Sequence, residues 1–179
     1  MKKLLVPLIL GLTCFCLSCK QESGMSDKAK KNLETSEAVA KMFESGDWSK
    51  VGDYIAADAV DHAGMKGDVV GLDSIKASFV QMAGMMSDMK NETVKELADD
   101  DYVFQWLKES WTVKTSEMGL PAGSKQTMNT IEVSKFNAAG KISDHWGFVS
   151  FKDMMKMMQP SMGNMMDSTK MKMDTSKHR

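Results

Sequence analysis

From Lys28 to Ser45 apolar positions recur at helical spacing, with Leu33, Ala40 and Phe43 in register and Val39 beside them, and "SGDW" ends the run at Gly46. A second helix is expected near Asp47, where Trp48, Val51 and Ile55 share one stripe, and the polar stretch "DAVDHAGMKG" reads as a connection. Behind "GLDS", Leu72, Ile75, Phe79, Met82 and Met86 recur every three or four residues, which predicts a helix with one buried face. Beyond it the period changes to two. "NETVKEL", "DYVFQWLKESWTVKT", "KQTMNTIEVSKF" and "KISDHWGFVSF" are rich in Val, Ile, Thr and aromatics and read as strands, separated by turn signals at "ADDD", "GLPAGS" and "NAAGK". Three helices followed by adjacent strands predict an α+β domain whose helices cover one face of a curved, mostly antiparallel sheet, with "FKDMMKMM" as a short closing helix.

Strand alternation also assigns faces. In "KISDHWGFVS", Ile142, Asp144, Trp146 and Phe148 share one side and Ser143, His145, Gly147 and Val149 the other. The first side is the more apolar and is expected to look towards the core, taking Asp144 with it and leaving His145 outside. Neighbours on a strand cannot face each other, so Asp144 and His145 do not form a dyad. A carboxylate among aromatics has its pKa raised by desolvation unless donors compensate, which suits a general acid or base near neutrality. The strand from Asp101 to Thr115 sorts into Tyr102, Phe104, Trp106 and Lys108 against Val103, Gln105, Leu107 and Glu109, and a bend near Lys108 would return Trp111 and Val113 to the inner side.

The chain has 179 residues and a formal charge of −1, enough for one core and too little charge for nucleic acid to be an expected partner. Its start, "MKKLLVPLILGLTCFCLSCKQES", carries two lysines and then an uncharged stretch too short to span a bilayer, the pattern of an export signal. "CLSC" resembles a bacterial lipobox, although Cys16 stands where such motifs prefer leucine. That resemblance implies a signal peptide over 1–18, a lipidated Cys19, a tether over 19–29 and a bacterial envelope location, anchored in the membrane through the lipid. Cys14 and Cys16 would leave with the signal, so neither a disulfide, a cysteine nucleophile nor a thiolate metal site is expected. The folded domain is placed at 30–160 and a flexible Met- and Lys-rich tail at 161–179.

The order of elements, with "GDWSKVGDYIAADAVDH", "GLDSIKASF", "GLPAGSKQTMNTIEVSKF" and "GKISDHW", resembles the SnoaL-like polyketide-cyclase branch of the NTF2-like superfamily over about residues 35–158. The resemblance implies a cone-shaped sheet enclosing an apolar pocket, and a fold shared by cyclases, isomerases, dehydratases, epoxide hydrolases and plain binding modules. It places His62 near the pocket mouth and makes "GLPAG" a hairpin turn. Where the family commonly has an aspartate four residues beyond the tryptophan, this chain has Ser150, which counts against the identical reaction.

Three functions follow as expectations. The first is a small apolar or amphipathic ligand held in a pocket lined by Tyr54, Trp106, Trp111, Met128, Trp146 and Phe148, with no cofactor and no metal. If catalytic, such a site would move protons through Asp144 as base, with His62, Tyr54 or Tyr102 as polarising donor. The second is a non-catalytic binding or homodimerising module. The third is copper handling by the C-terminal methionines, since thioethers suit Cu(I) and many of the 19 methionines cluster there.

Overall fold

The computed structural model describes residues 24–64 and 66–158, so the segment expected to be an export signal, Cys19 and the Met-rich tail lie outside the described residues. Helix α1 (Asp27–Ser45) is capped by Ser26, whose hydroxyl accepts from the Ala29 amide at 3.0 Å. It stops at Gly46, whose φ of 68° lets its N–H reach the Met42 carbonyl. The helix starts inside the segment expected to be tether, and Ala29 is already buried. Its buried face is partly polar: the Asn32 side chain donates to the carbonyls of Asp99 (3.2 Å) and Asp100 (3.0 Å), fastening α1 to a strand turn.

The second helix shrinks to one turn, α2 (Val51–Tyr54), and Ile55 opens a strand, β1 (Ile55–Asp61). Its first residue, Ile55, was expected on the second helix and the residues from Asp58 in the connection. Alanine and aspartate have little strand propensity of their own, and here tertiary pairing overrides it: β1 runs parallel to the last strand and antiparallel to the two-residue β2 (Val69–Val70). Trp48, Val51 and Ile55 are nevertheless all buried, as their common stripe predicts. Helix α3 (Leu72–Met85) follows, with Ile75, Phe79 and Met85 buried.

The remaining strands are β3 (Met86–Ala98), β4 (Tyr102–Val113), β5 (Lys125–Phe136) and β6 (Ile142–Val149), and the curved, unclosed sheet has the order β2-β1-β6-β5-β4-β3. Residues 151–158 form a closing helix, α4. α1 and α3 pack on the concave side. There Phe43, Trp48 and Phe79 pack edge-on and tilted with ring centroids 4.6 to 5.1 Å apart, within the range where aromatic pairs add to plain area burial.

Two faces differ from expectation. The β4–β5 ladder is regular from Tyr102 opposite Lys135 to Thr112 opposite Lys125, so no bend near Lys108 is needed: Val103, Gln105, Leu107, Glu109, Trp111 and Val113 all point inwards. In β6 the register slips. Lys135 pairs with Asp144 but Phe136 with Ile142, leaving Ser143 as a bulge. Ile142 is buried, and one extra residue then hands the inner face to His145, Gly147 and Val149 while turning Asp144, Trp146 and Phe148 outwards.

Candidate functional site

The concave face and the helices α1 and α3 enclose a cavity of about 340 Å³. Most of its wall is apolar, with Phe43, Phe79, Leu107, Trp111 and Met128 among the lining residues. The polar part crosses the floor from strand to strand. Asp61 at the end of β1 stands beside His145 of the parallel strand β6, Glu132 comes from β5, and Glu109 from β4.

His145 is held between two carboxylates. Its Nδ1 lies 3.0 Å from Asp61 Oδ1 and its Nε2 3.1 Å from Glu132 Oε2. Two acceptors leave no tautomer choice, because both ring nitrogens must carry protons to satisfy them. Burial alone would lower the imidazole pKa, but the bonds and charges of Asp61 and Glu132 outweigh it and raise it from 6.5 to about 9. Burial likewise works to raise Asp61, yet the His145 bond and charge and the Ala63 amide, which donates to Oδ1 at 3.0 Å, hold the carboxyl below its ordinary value. The arrangement is an imidazolium clamped by two carboxylates, so His145 at neutral pH is a fixed cation with no lone pair to act as a base.

Glu109 has the opposite character. Burial and then the charge of Glu132 push it up from 4.5 to about 7, against the Thr130 hydroxyl, which donates to it at 3.2 Å, and the nearby His145. A carboxyl that titrates near 7 in the wall of a cavity can both take and return a proton under physiological conditions.

Of the residues expected to build the site, Trp111 and Met128 line the cavity. Asp144 does not: it sits on the outer face, where burial raises its pKa but the Ser143 hydroxyl at 2.9 Å, Lys135 Nζ at 3.4 Å and His62 outweigh burial and hold the carboxyl low. This is the reverse of the raised pKa expected for an inward carboxylate, and the Ser143 bulge is its cause. His62 is outside with it, stacked on Trp146 at 4.8 Å and 3.1 Å from Asp68. Tyr54 packs against the main core instead of the cavity, and Tyr102 lies against Phe104 on the outer face. Trp106 and Phe148 are 46% and 55% exposed and flank a shallow outer groove.

His145, expected outside, is therefore central, and Asp61, Glu109 and Glu132 join it. One signal for them was in the sequence: Glu109 falls in phase with Val103, Gln105 and Leu107, and Glu132 in phase with Met128 and Thr130. No signal gave the parallel β1–β6 pairing that seats Asp61. Among the described residues no group of three or more His, Cys, Asp or Glu has the arrangement of a metal site, and no helix is long and apolar enough to cross a membrane.

The SnoaL-like polyketide cyclase family model matches residues 34–159. Among solved structures, IdmH from Streptomyces antibioticus superposes with a TM-score of 0.59 at 23% identity, covering 72% of this chain and 98% of its own. A SnoaL-like polyketide cyclase from Agrobacterium tumefaciens gives 0.60 at 16% identity, covering 70% and 95%. An NTF2-like protein from Anabaena variabilis gives 0.61 at 14% identity, covering 73% and 95%. These likenesses show the fold, and no curated protein matches the chain in sequence.

Proposed function

The chain belongs to the SnoaL-like polyketide cyclase family, and we propose that it holds a small apolar or amphipathic molecule in the concave cavity and exchanges a proton with it through Glu109. The observation that carries this reading is a single one: a carboxyl with a pKa of about 7 stands in the wall of an otherwise mostly apolar cavity. Carbon acids activated by a carbonyl are the matching substrate class. His145, locked as a cation by Asp61 and Glu132, has both ring N–H groups engaged by them, which leaves Glu109 as the group that exchanges the proton. Ser150, where the family commonly has aspartate, argues against the family's own acid/base group and for a different one.

The test is hydrogen–deuterium exchange in D₂O, followed by NMR, over a panel of small cyclic and aromatic ketones, with wild type and Glu109→Gln side by side. Exchange that the wild type catalyses and the variant does not, with binding kept, supports the reading. Ketones that bind but exchange no faster than in buffer would reduce the protein to a binding module.

That binding or dimerisation module is the second reading, and the outer face favours it. Phe104, Trp106, Ile131 and Phe148 are all exposed there, a cluster that a second copy could cover. Attachment to a bacterial envelope through lipid on Cys19 is supported by the export-signal pattern and "CLSC" alone; intact-mass measurement of membrane-extracted protein, with Cys19→Ala as control, tests it. Copper binding by the C-terminal methionines rests on composition, and unchanged Cu(I) affinity after truncation beyond Gln159 would remove it.

A further inference from the structure

The charge balance of the cavity sets what its ligand must look like. Four titratable side chains line it: Asp61 from β1, Glu109 from β4, Glu132 from β5 and His145 from β6. The helices α1 and α3 and strand β3 contribute only uncharged groups, and no lysine or arginine is among the lining residues. Three carboxylates thus face one imidazolium, and the set is net negative whichever state Glu109 holds. In a largely apolar enclosure that imbalance is weakly screened, so an anion entering it would meet both desolvation and repulsion.

The walls point the same way. The rings of Phe43 and Phe79 line the cavity, and methionines from α3, β3 and β5, including Met82, Met89 and Met128, offer polarisable thioethers. Aromatic faces attract cations, and thioethers adapt to irregular apolar and aromatic groups. Three buried polar atoms on the lining residues have no partner, Asn91 Oδ1 among them. Trp111 Nε1 and Ser36 Oγ belong to side chains that are each 3% exposed, at places where an unsatisfied group is costly. An indole N–H requires an acceptor, so the complementary molecule is apolar in its body and carries an oxygen or nitrogen acceptor.

We infer that the cavity selects lipophilic cations, amphipathic molecules with an ammonium group placed towards Glu109 and Glu132 and an apolar, acceptor-bearing body against Trp111 and the methionines. This deepens the proposed function, because it rests on the cavity being a ligand site, but it does not depend on proton exchange. A protonated amine beside a carbonyl is itself a carbon acid of enhanced acidity, so the two readings are compatible.

The experiment uses three probes with one shared ring: naphthylmethyl-trimethylammonium, naphthalenemethanol and naphthylacetate. Calorimetry with the purified protein near pH 8 is expected to give one-to-one binding of the cation roughly tenfold tighter than the alcohol, with the carboxylate weakest. Lowering the pH through about 7 protonates Glu109 and narrows the preference. Glu109→Gln and Glu132→Gln should each narrow it too, lowering the ratio of cation to alcohol affinity; thermal melting verifies that the variants are folded. Equal affinity for cation and alcohol, or a preference for the carboxylate, overturns the inference and leaves the proton-exchange reading standing. Failure of all three probes to bind overturns the inference and the ligand-site reading together.

Discussion

Gly147 and Glu132 share one small volume across the β5–β6 ladder: a Cβ at position 147 would lie 3.0 Å from Glu132 Oε2 and 3.2 Å from the Ala63 Cβ. The glycine is therefore what lets Glu132 lie flat against the strand and reach His145.

In Gly147→Ala the Glu132 carboxylate is expected to swing away from His145 Nε2. The imidazole loses one of its two acceptors and its pKa falls from about 9 towards its ordinary value. Side-chain NMR of His145 measures this directly, and an unchanged titration would show that Glu132 adjusts without letting go. A stability loss of about 1–2 kcal/mol should accompany the change.

Stability should fall steadily as pH rises from about 5 to about 9. Glu109 is raised from 4.5 to about 7, so over that interval the unfolded chain gives up a proton that the fold retains. His145 is raised from 6.5 to about 9: its contribution is complete below about 6.5 and is lost as pH rises through about 9. Each shift corresponds to something on the order of 3 kcal/mol. Urea midpoints across this range check the slope, and in His145→Gln the part above pH 6.5 should flatten. Asp61, held low, acts in the opposite sense and matters only as pH falls below about 4.

Glu109→Gln is expected to stabilise the protein near pH 8, by up to a few kcal/mol, and to change it little near pH 4, because the amide keeps an acceptor for Thr130 without the buried charge. Loss of proton exchange together with a gain in melting temperature would mark Glu109 as a group kept for chemistry at the expense of stability.

Asp144→Asn should leave ligand binding and exchange untouched. The side chain serves a partly exposed cluster with Lys135 and His62, where ion pairs are worth about 0–1 kcal/mol. A collapse of exchange in this variant would mean that the outer face takes part after all.

On that same face, the double change Trp106→Ser and Phe148→Ser should abolish the proposed self-association, read as a smaller sedimentation coefficient, without lowering the melting temperature. Identical sedimentation before and after would remove self-association through this surface.

The sequence made the helices α1 and α3 and the strands β3 to β6 legible because each carries its period over most of its length, although β3 begins at Met86, at the end of the segment expected to be helix and before the "NETVKEL" expected as strand. It hid β1, whose alanines and aspartates look like a loop until β6 pairs with them, and it hid the phase of β6. Alternation is reliable only while the register holds, and the Ser143 bulge breaks it in the middle of the segment that matters most. Strict alternation gives the right side for Ile142 and the wrong side for every residue after the bulge. Trp106 and Phe148 were expected in the pocket because aromatic residues in strands suit either face. Their neighbours' burial, which no single sequence states, decides between the two.

The pairing of β1 with β6 also sets when this site comes into being. Asp61 and His145 are 84 residues apart in the chain, whereas β3, β4, β5 and β6 join successive neighbours through local turns. Long-range parallel contacts require a large loop to close first, and topologies that depend on them fold slowly. The antiparallel strands can therefore assemble before β1 docks, and the imidazolium clamp exists only once that last strand is in place. Appearance of the His145–Asp61 pair during refolding is then a clock for completion of the domain: a chain halted one step short would hold most of its sheet and none of its clamp.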